Sequence, residues 1–190
     1  MAQEVEYKIL ITEKEYIYLS SVLKSIYKHN DILQINVYYD TSDFSLHNKG
    51  ETLRIRQIDR QSRIEYKFNK RAFGLVRISD EKSLPIDDIP ERLPNQHVRL
   101  LSLPREKYCK LGNLITFRTN FYVPHGVLSL DKNQYFDYID YEMELEVSSV
   151  EDDFSLIIPE IESFLKTKTK NELPQGKYSR FISRYKERNI

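Results

Sequence analysis

The sequence predicts an α+β fold dominated by antiparallel strands, on two observations. Segments rich in Val, Ile, Tyr and Phe mostly alternate apolar with charged residues, the period of a strand with one buried face. Apolar residues at helical spacing occur in only a few stretches. Many strands with few helices make α+β the expected class. At 190 residues the chain suits a single domain, 1–190, because domains typically hold roughly 100–200 residues.

The elements can be justified in order. Val5, Tyr7 and Ile9 alternate with Glu4, Glu6 and Lys8, which predicts a first strand. Thr12 and Glu15 have capping-box spacing, and Tyr16, Leu19, Leu23 and Ile26 form one helical face, so a helix should run to Tyr27. Strands are expected over Ile35–Tyr39 and Thr52–Ile58, joined by a loop from Asp40 to Gly50. Arg63–Asn69 and a weaker Leu75–Ser79 continue the series. Prolines break up the stretch from Pro85 to Pro104, after which Arg105–Leu111 suggests a short helix ending at Gly112. Ile115–Val123, Val127–Asp131 and Tyr141–Val147 read as further strands, the first two joined through Pro124-His125-Gly126. Phe154, Ile157, Ile161, Phe164 and Leu165 suggest helical structure, with Pro159 starting a new helix. Lys177–Glu187 reads as a terminal helix.

Composition excludes several classes of function. Lys plus Arg and Asp plus Glu balance at 29 each, which argues against a general polyanion-binding surface and a nucleic-acid partner. Phosphate chemistry in such a chain requires positive charge to be concentrated locally and offset elsewhere. Cys109 is the single cysteine, so an intrachain disulfide and a cysteine-rich metal site are excluded. No GxxxxGK loop is present, which excludes a Walker-type nucleotide site. No apolar run approaches the length of about 18 residues that spans a bilayer, and the opening Glu4, Glu6 and Lys8 are unlike a secretory signal. The expectation is a soluble cytoplasmic protein with no membrane partner.

The informative feature is which charges share a strand face. Glu142, Glu144 and Glu146 project opposite Tyr141, Met143, Leu145 and Val147. Arg54 and Arg56 lie opposite Leu53 and Ile55, and Glu65 and Lys67 opposite Ile64, Tyr66 and Phe68. Arg118 is flanked by Phe117 and an apolar-rich run to Phe121. One such strand is ordinary in a half-exposed sheet. Several together, with few of the Thr, Ser and Gln residues of a wet sheet, suggest a shared charged surface. Closing the sheet with its apolar faces outward under helices produces a charged lumen. Carboxylates on one wall suit a hard cation such as Mg²⁺ or Mn²⁺. Arginines and lysines on another wall suit phosphate. Together they point to a metal-complexed polyphosphate.

Glu4-Val5-Glu6-Tyr7-Lys8 matches the ExExK signature of the CYTH, or triphosphate tunnel metalloenzyme, superfamily. Asn36-Val37-Tyr38-Tyr39-Asp40-Thr41, Leu53-Arg54-Ile55-Arg56 and Tyr66-Lys67 resemble the segments that follow it. Leu130-Asp131 and Glu142–Glu146 resemble the acidic C-terminal half, and Gly176-Lys177-Tyr178-Ser179 the terminal lysine motif. The ordered series covers nearly the whole chain, and the chain is identified as resembling that superfamily.

The resemblance implies a closed antiparallel β-barrel of about eight strands, open as a tunnel and flanked by helices. It implies that Lys8, Arg54, Arg56, Lys67, Arg118 and Lys177 hold a small triphosphate substrate. Glu4, Glu6, Asp131, Glu142, Glu144 and Glu146 would divide between binding metal and positioning water, with Glu142, Glu144 and Lys8 nearest the chemistry. Six carboxylates crowded in a lumen should leave some harder to ionise than in free solution. A departure falls at Arg77-Ile78-Ser79-Asp80-Glu81, where many members carry Arg-x-Glu-x-Glu, leaving the roles of Arg77 and Glu81 open.

The implied activity is metal-dependent hydrolysis of inorganic tripolyphosphate or a small organic triphosphate such as thiamine triphosphate. An adenylate cyclase making cyclic AMP is one alternative, but it needs a groove for adenine that the sequence does not specify. A non-catalytic polyphosphate-binding module is another, against which the full Glu142-Glu144-Glu146 set argues. His29, His47, His97 and His125 lack metal-ligand spacing and are expected at the surface. Tyr38 and Tyr39 are expected to pack within the sheet. Arg180, Arg184, Lys186 and Arg188 suggest a solvated basic helix face, with Arg180 within reach of the tunnel mouth.

Overall fold

The computed structural model describes residues 2–73, 76–124, 126–147 and 174–188. Its strands are β1 (Ala2–Ile11), β2 (His29–Asp40), β3 (Thr52–Ile58), β4 (Gln61–Phe73), β5 (Val76–Pro85), β6 (Cys109–Val123), β7 (Gly126–Tyr135) and β8 (Tyr138–Val147). Four helices accompany them among the described residues: α1 (Glu13–Ile26), α2 (Ser45–Asn48), α3 (Asn95–Leu100) and α4 (Lys177–Arg188). The strands close into a barrel in the order β1-β5-β4-β3-β2-β6-β7-β8, every neighbour antiparallel, with β8 returning to β1. Closure removes the free edges that an open sheet of this length would expose.

Directly opposed residues on neighbouring strands share a face, so the pairings separate lumen from exterior. Lys8 opposes Glu144, Glu6 opposes Glu146 and Arg77, and Arg118 opposes Asp131. Arg54 opposes Tyr38 and Glu65, and Arg56 opposes Asn36. These residues face inward, which leaves the alternate apolar residues to pack outside the barrel. Val5, Tyr7, Ile9, Leu128, Leu130, Met143 and Leu145 form one buried cluster with Leu19 and Leu23 of α1. A second buried cluster joins Val37, Tyr39, Leu53, Ile55 and Ile64 to Leu46 of α2, Val98 of α3 and the segment through Leu101, Leu103 and Tyr108. These two clusters therefore lie outside the barrel wall, and the polar lumen occupies its axis.

The helix start at α1 forms as the sequence predicts: the Glu15 amide donates to Thr12 Oγ1 (3.2 Å) and the Thr12 amide to Glu15 Oε2 (2.7 Å). The helix expected over Arg105–Leu111 does not form. Cys109 and Lys110 instead extend β6 alongside Asp40 and Tyr39, and the Lys110 amide donates to the Glu91 carbonyl (2.9 Å). The short helix near this region is α3, earlier in the chain. Gly112 ends no helix. It sits where the β2–β6 register shifts, with φ +148, and a Cβ there would meet Phe181 Cζ at 3.2 Å. Strand β2 begins six residues before the expected start at Ile35, because His29–Leu33 pairs with β6 beyond the end of β3. The helical stretch expected around Phe154–Leu165, and His125, lie outside the described residues.

Helix α4 packs differently from α1. Its Tyr178, Phe181 and Ile182 bury against Tyr38, Leu114 and Tyr135. Tyr38, Leu114 and Tyr135 lie on the inward face of their strands, so α4 covers one end of the barrel. Buried Asp40 anchors it: its carboxylate accepts from Tyr178 Oη (2.6 Å) and from the Leu46 and His47 amides that open α2 (3.0 Å each). No helix among the described residues is long and apolar enough to cross a membrane.

Candidate active site

The lumen holds a cavity of about 420 Å³, lined among others by Glu4, Glu6, Lys8, Arg54, Arg56, Lys67, Arg118, Glu144, Glu146 and Lys177. Asp131 and Glu142 lie behind this surface, both fully buried. The strand alternation, with Lys177 added from helix α4, thus brings the site residues singled out in the sequence to one lumen.

Acids and bases do not occupy separate walls, as the sequence suggested; they interleave. Lys8 pairs with Glu144 and stands 3.3 Å from Glu6. Arg118 holds Asp131 through two hydrogen bonds (2.7 and 2.6 Å) and also reaches Glu144. Lys177, at the first position of α4, lies 2.8 Å from both Asp131 and Glu144 and also meets Glu142. Arg180, one turn on, bonds Glu142 (2.6 Å) and Asp140 (2.8 Å). On the opposite side Arg54 bonds Glu65 (2.8 Å), Arg56 bonds Asn36 (3.1 Å), and Lys67 pairs with Glu4 and lies 3.5 Å from Glu81.

Interleaving reverses most of the ionisation strain expected of a crowded acidic lumen. Burial alone would raise the Glu4 carboxyl, but Lys67 outweighs it and holds it down to about 2. Burial likewise opposes ionisation of Glu144 and Asp131, yet Lys8 and Arg118 keep Glu144 below the usual carboxylate range, and Arg118 and Lys177 do the same for Asp131. Burial lowers the Lys8 ammonium less than Glu144 and Glu6 raise it. Glu146 is the exception: burial and Glu4 push its carboxyl up.

Asp131, Glu142 and Glu144 each present a carboxylate oxygen within 4.8 Å of the others, all three residues buried. Three convergent hard oxygen donors fit a divalent cation such as Mg²⁺ or Mn²⁺. In this chain they are neutralised by the ammonium groups of Lys8 and Lys177 and the guanidinium of Arg118. Glu4, Glu6 and Glu146 lie outside that group of three.

Several contributors were not singled out from sequence. Glu65 shares a face with Lys67, a visible signal, and balances Arg54 and Arg56. Arg77 and Ser79, at the departure from the family pattern, both line the cavity, with Arg77 3.8 Å from Glu6 and Ser79 Oγ 3.4 Å from Glu4 Oε2. Tyr38 does more than pack: its ring lies against Tyr178 and Phe181 (centroids 4.8 and 5.0 Å apart), while its buried hydroxyl finds no partner among the described residues and the residue borders the cavity. Tyr39 packs outside, donating to the Pro90 carbonyl (2.6 Å). His29 is exposed, whereas His47 and His97 are half-buried with Nδ1 sheltered, because α2 and α3 pack on the barrel. The remaining basic groups of α4 lie over rings, Arg184 on Tyr138, Lys186 on Phe44 and Arg188 on Phe136.

A closed eight-stranded barrel with an axial cavity of interleaved acids and bases defines a class, and sequence comparison agrees with it. The profile of the CYTH domain matches residues 2–176. The chain belongs to the CYTH family. It is 28% identical over 149 residues to YjbK of Bacillus subtilis (strain 168), named as a candidate triphosphatase, covering 76% of this chain and 77% of that one. Among solved structures it is similar to a Bacillus halodurans protein described as an adenylate cyclase candidate, at 25% identity and a TM-score of 0.73, covering 96% and 100% of the two chains. It also superposes on HpAC1 of Hippeastrum, described as having a dominant triphosphatase activity, with a TM-score of 0.74 at 20% identity and 95% of each chain covered. That last likeness is one of fold.

Proposed function

We propose that the tunnel is the active site of a cytoplasmic, metal-dependent triphosphatase that hydrolyses inorganic tripolyphosphate or a small organic triphosphate such as thiamine triphosphate. One observation carries this reading: among the described residues, nine lysines and arginines but only four carboxylates border the cavity. That surplus favours a compact, highly charged anion. The buried carboxylates behind it supply oxygen ligands for the cation such an anion brings. The name of the Bacillus subtilis relative supports the same reading.

Phosphoryl transfer asks a protein mainly for positioning and charge neutralisation. Lys8, Arg54, Arg56, Lys67, Arg118 and Lys177 would bind the phosphate oxygens and oppose charge building on the leaving group. Asp131, Glu142 and Glu144 would hold Mg²⁺ or Mn²⁺, which when bound supplies charge neutralisation and an acidified water. Glu4, Glu6 and Glu146, near the opposite side of Lys8, would orient water or a second cation. Lys8 and Lys177 would then exchange carboxylate partners for phosphate, and their ion pairs with Glu144 and Asp131 keep the tunnel's charges oriented.

The test is incubation of pure protein with tripolyphosphate, thiamine triphosphate and ATP, with and without Mg²⁺ or Mn²⁺. Phosphate release from tripolyphosphate or thiamine triphosphate that requires metal is the expected result. Cyclic AMP from ATP, or binding without turnover, would overturn it in favour of a cyclase or a binding module.

A further inference from the structure

Strand β4 carries a bulge with a chemical consequence. Its pairing with β5 runs from Arg63 opposite Pro85 to Phe68 opposite Asp80, then resumes with Arg71 opposite Ile78. One extra residue on β4 is taken up there, at Asn69, whose φ of 51 is left-handed and whose amide side chain bonds Asp80 (2.9 Å). An extra residue reverses which side chains face inward. Before it the odd-numbered Glu65 and Lys67 face the lumen; after it Ala72 opposes inward-facing Arg77, so the even-numbered positions do. Lys70 is thereby turned into the cavity that Lys67 already enters.

Among the described residues, Lys70 and its neighbour Arg71 differ from the other cations lining this tunnel. Lys8, Arg54, Lys67 and Lys177 each hold a carboxylate. Lys70 has none within 4 Å among the described residues; its ammonium donates only to the Thr52 hydroxyl (2.7 Å). The groups that bear on it are cationic: Arg77 from β5, Lys67 from its own strand, Lys8 from β1 and Arg54 from β3, with the His47 imidazole of α2 also within electrostatic range. The side chain is exposed at the surface, yet desolvation within the tunnel and these like charges push its ammonium down to about 7. A positive group among positive groups, without a built-in counter-ion, holds its proton more firmly once an anion joins it.

We propose that Lys70 is a substrate-binding residue, and that it contacts a phosphate group of a linear polyphosphate beside Arg77 at the Thr52 end of β3. The assignment rests on the triphosphatase reading for its ligand. Because no carboxylate of the protein must be displaced, Lys70 can meet the substrate directly. Binding should therefore take up a proton above neutral pH, and affinity should fall as pH rises past 7, where the empty tunnel holds Lys70 increasingly uncharged.

Calorimetric titration of tripolyphosphate into wild type, Lys70→Met and Lys70→Arg tests this without needing turnover. Lys70→Met is expected to weaken binding roughly 10- to 100-fold, the range for losing a charge-assisted hydrogen bond, with the metal concentration at half-maximal activity unchanged. Lys70→Arg, always charged, should retain binding and lose the extra weakening above pH 7. Wild-type affinity in Lys70→Met, or loss of thermal stability in that variant with affinity unchanged, would overturn the assignment. A wild type that binds tripolyphosphate without hydrolysing it would sink the enzymatic reading and leave Lys70 a polyphosphate contact.

Discussion

Arg56 is held more loosely than its neighbours, with one hydrogen bond to Asn36 (3.1 Å) and a distance of 3.7 Å to Glu65. Burial and the adjacent Arg54 lower its affinity for its proton, and a phosphate oxygen is the partner proposed for it. Arg56→Ala is expected to lower kcat/KM about 10- to 100-fold, with both binding and turnover affected, because the contact strengthens as charge moves to the leaving group. Glu144 plays the opposite part, facing Lys8, Arg118 and Lys177 at once. Glu144→Gln should cut turnover and raise the metal concentration needed for half-maximal activity; full activity at limiting metal would remove that strand from the metal site. Glu4 gives a pH signature. Its folded carboxyl sits near 2 against an ordinary 4.5, so its contribution to stability is complete above about pH 4.5 and is lost as pH falls toward 2. Urea midpoints should decline over that window, less steeply in Glu4→Gln.

At the scale of elements, helix α4 both covers the barrel end and brings Lys177 to Asp131 and Glu144. Its anchor is the bond from Tyr178 to buried Asp40 (2.6 Å). Tyr178→Phe should cost about 2 kcal/mol, since hydrogen bonds to charged groups are worth roughly 1.5–3. That corresponds to a melting temperature lower by about 4–8 °C for a chain of this size, measured by calorimetry; an unchanged melt would mean α4 is held by its apolar face alone. Such elements show what local sequence conveys. Strict alternation in β1, β3 and β8 exposed both the strand and the charged face, because a period of two is a local property. The helix expected over Arg105–Leu111 does not form because the strand identity of Cys109 and Lys110 comes from pairing with distant Asp40 and Tyr39. Lys70 escaped because a bulge depends on the partner strand, and a single inserted residue inverts the pattern. The partner of each lumen charge was equally hidden: Lys8 with Glu144 and Arg54 with Glu65 are set by strand order around the barrel, which one sequence does not display.

Across the described residues the barrel carries two apolar clusters on its outer face and its charge along the axis, so its stability and its chemistry draw on the same ion pairs. Breaking a buried pair by removing one partner leaves a charge uncompensated, yet the proposed substrate and metal do so without loss because each supplies a replacement. A ligand at about 100 times its dissociation constant adds roughly 2.7 kcal/mol when it binds only the folded state. For a chain of this size that is a rise in melting temperature of about 5–10 °C. Thermal melts in chelator, in metal, in a slowly hydrolysed triphosphate analogue, in both together and in sulfate at equal ionic strength measure this directly. The account predicts the largest rise with metal and analogue together and a much smaller one with sulfate, which can neither span the basic residues nor bring a cation to Asp131, Glu142 and Glu144. Equal shifts from sulfate and from the metal–analogue pair would contradict it.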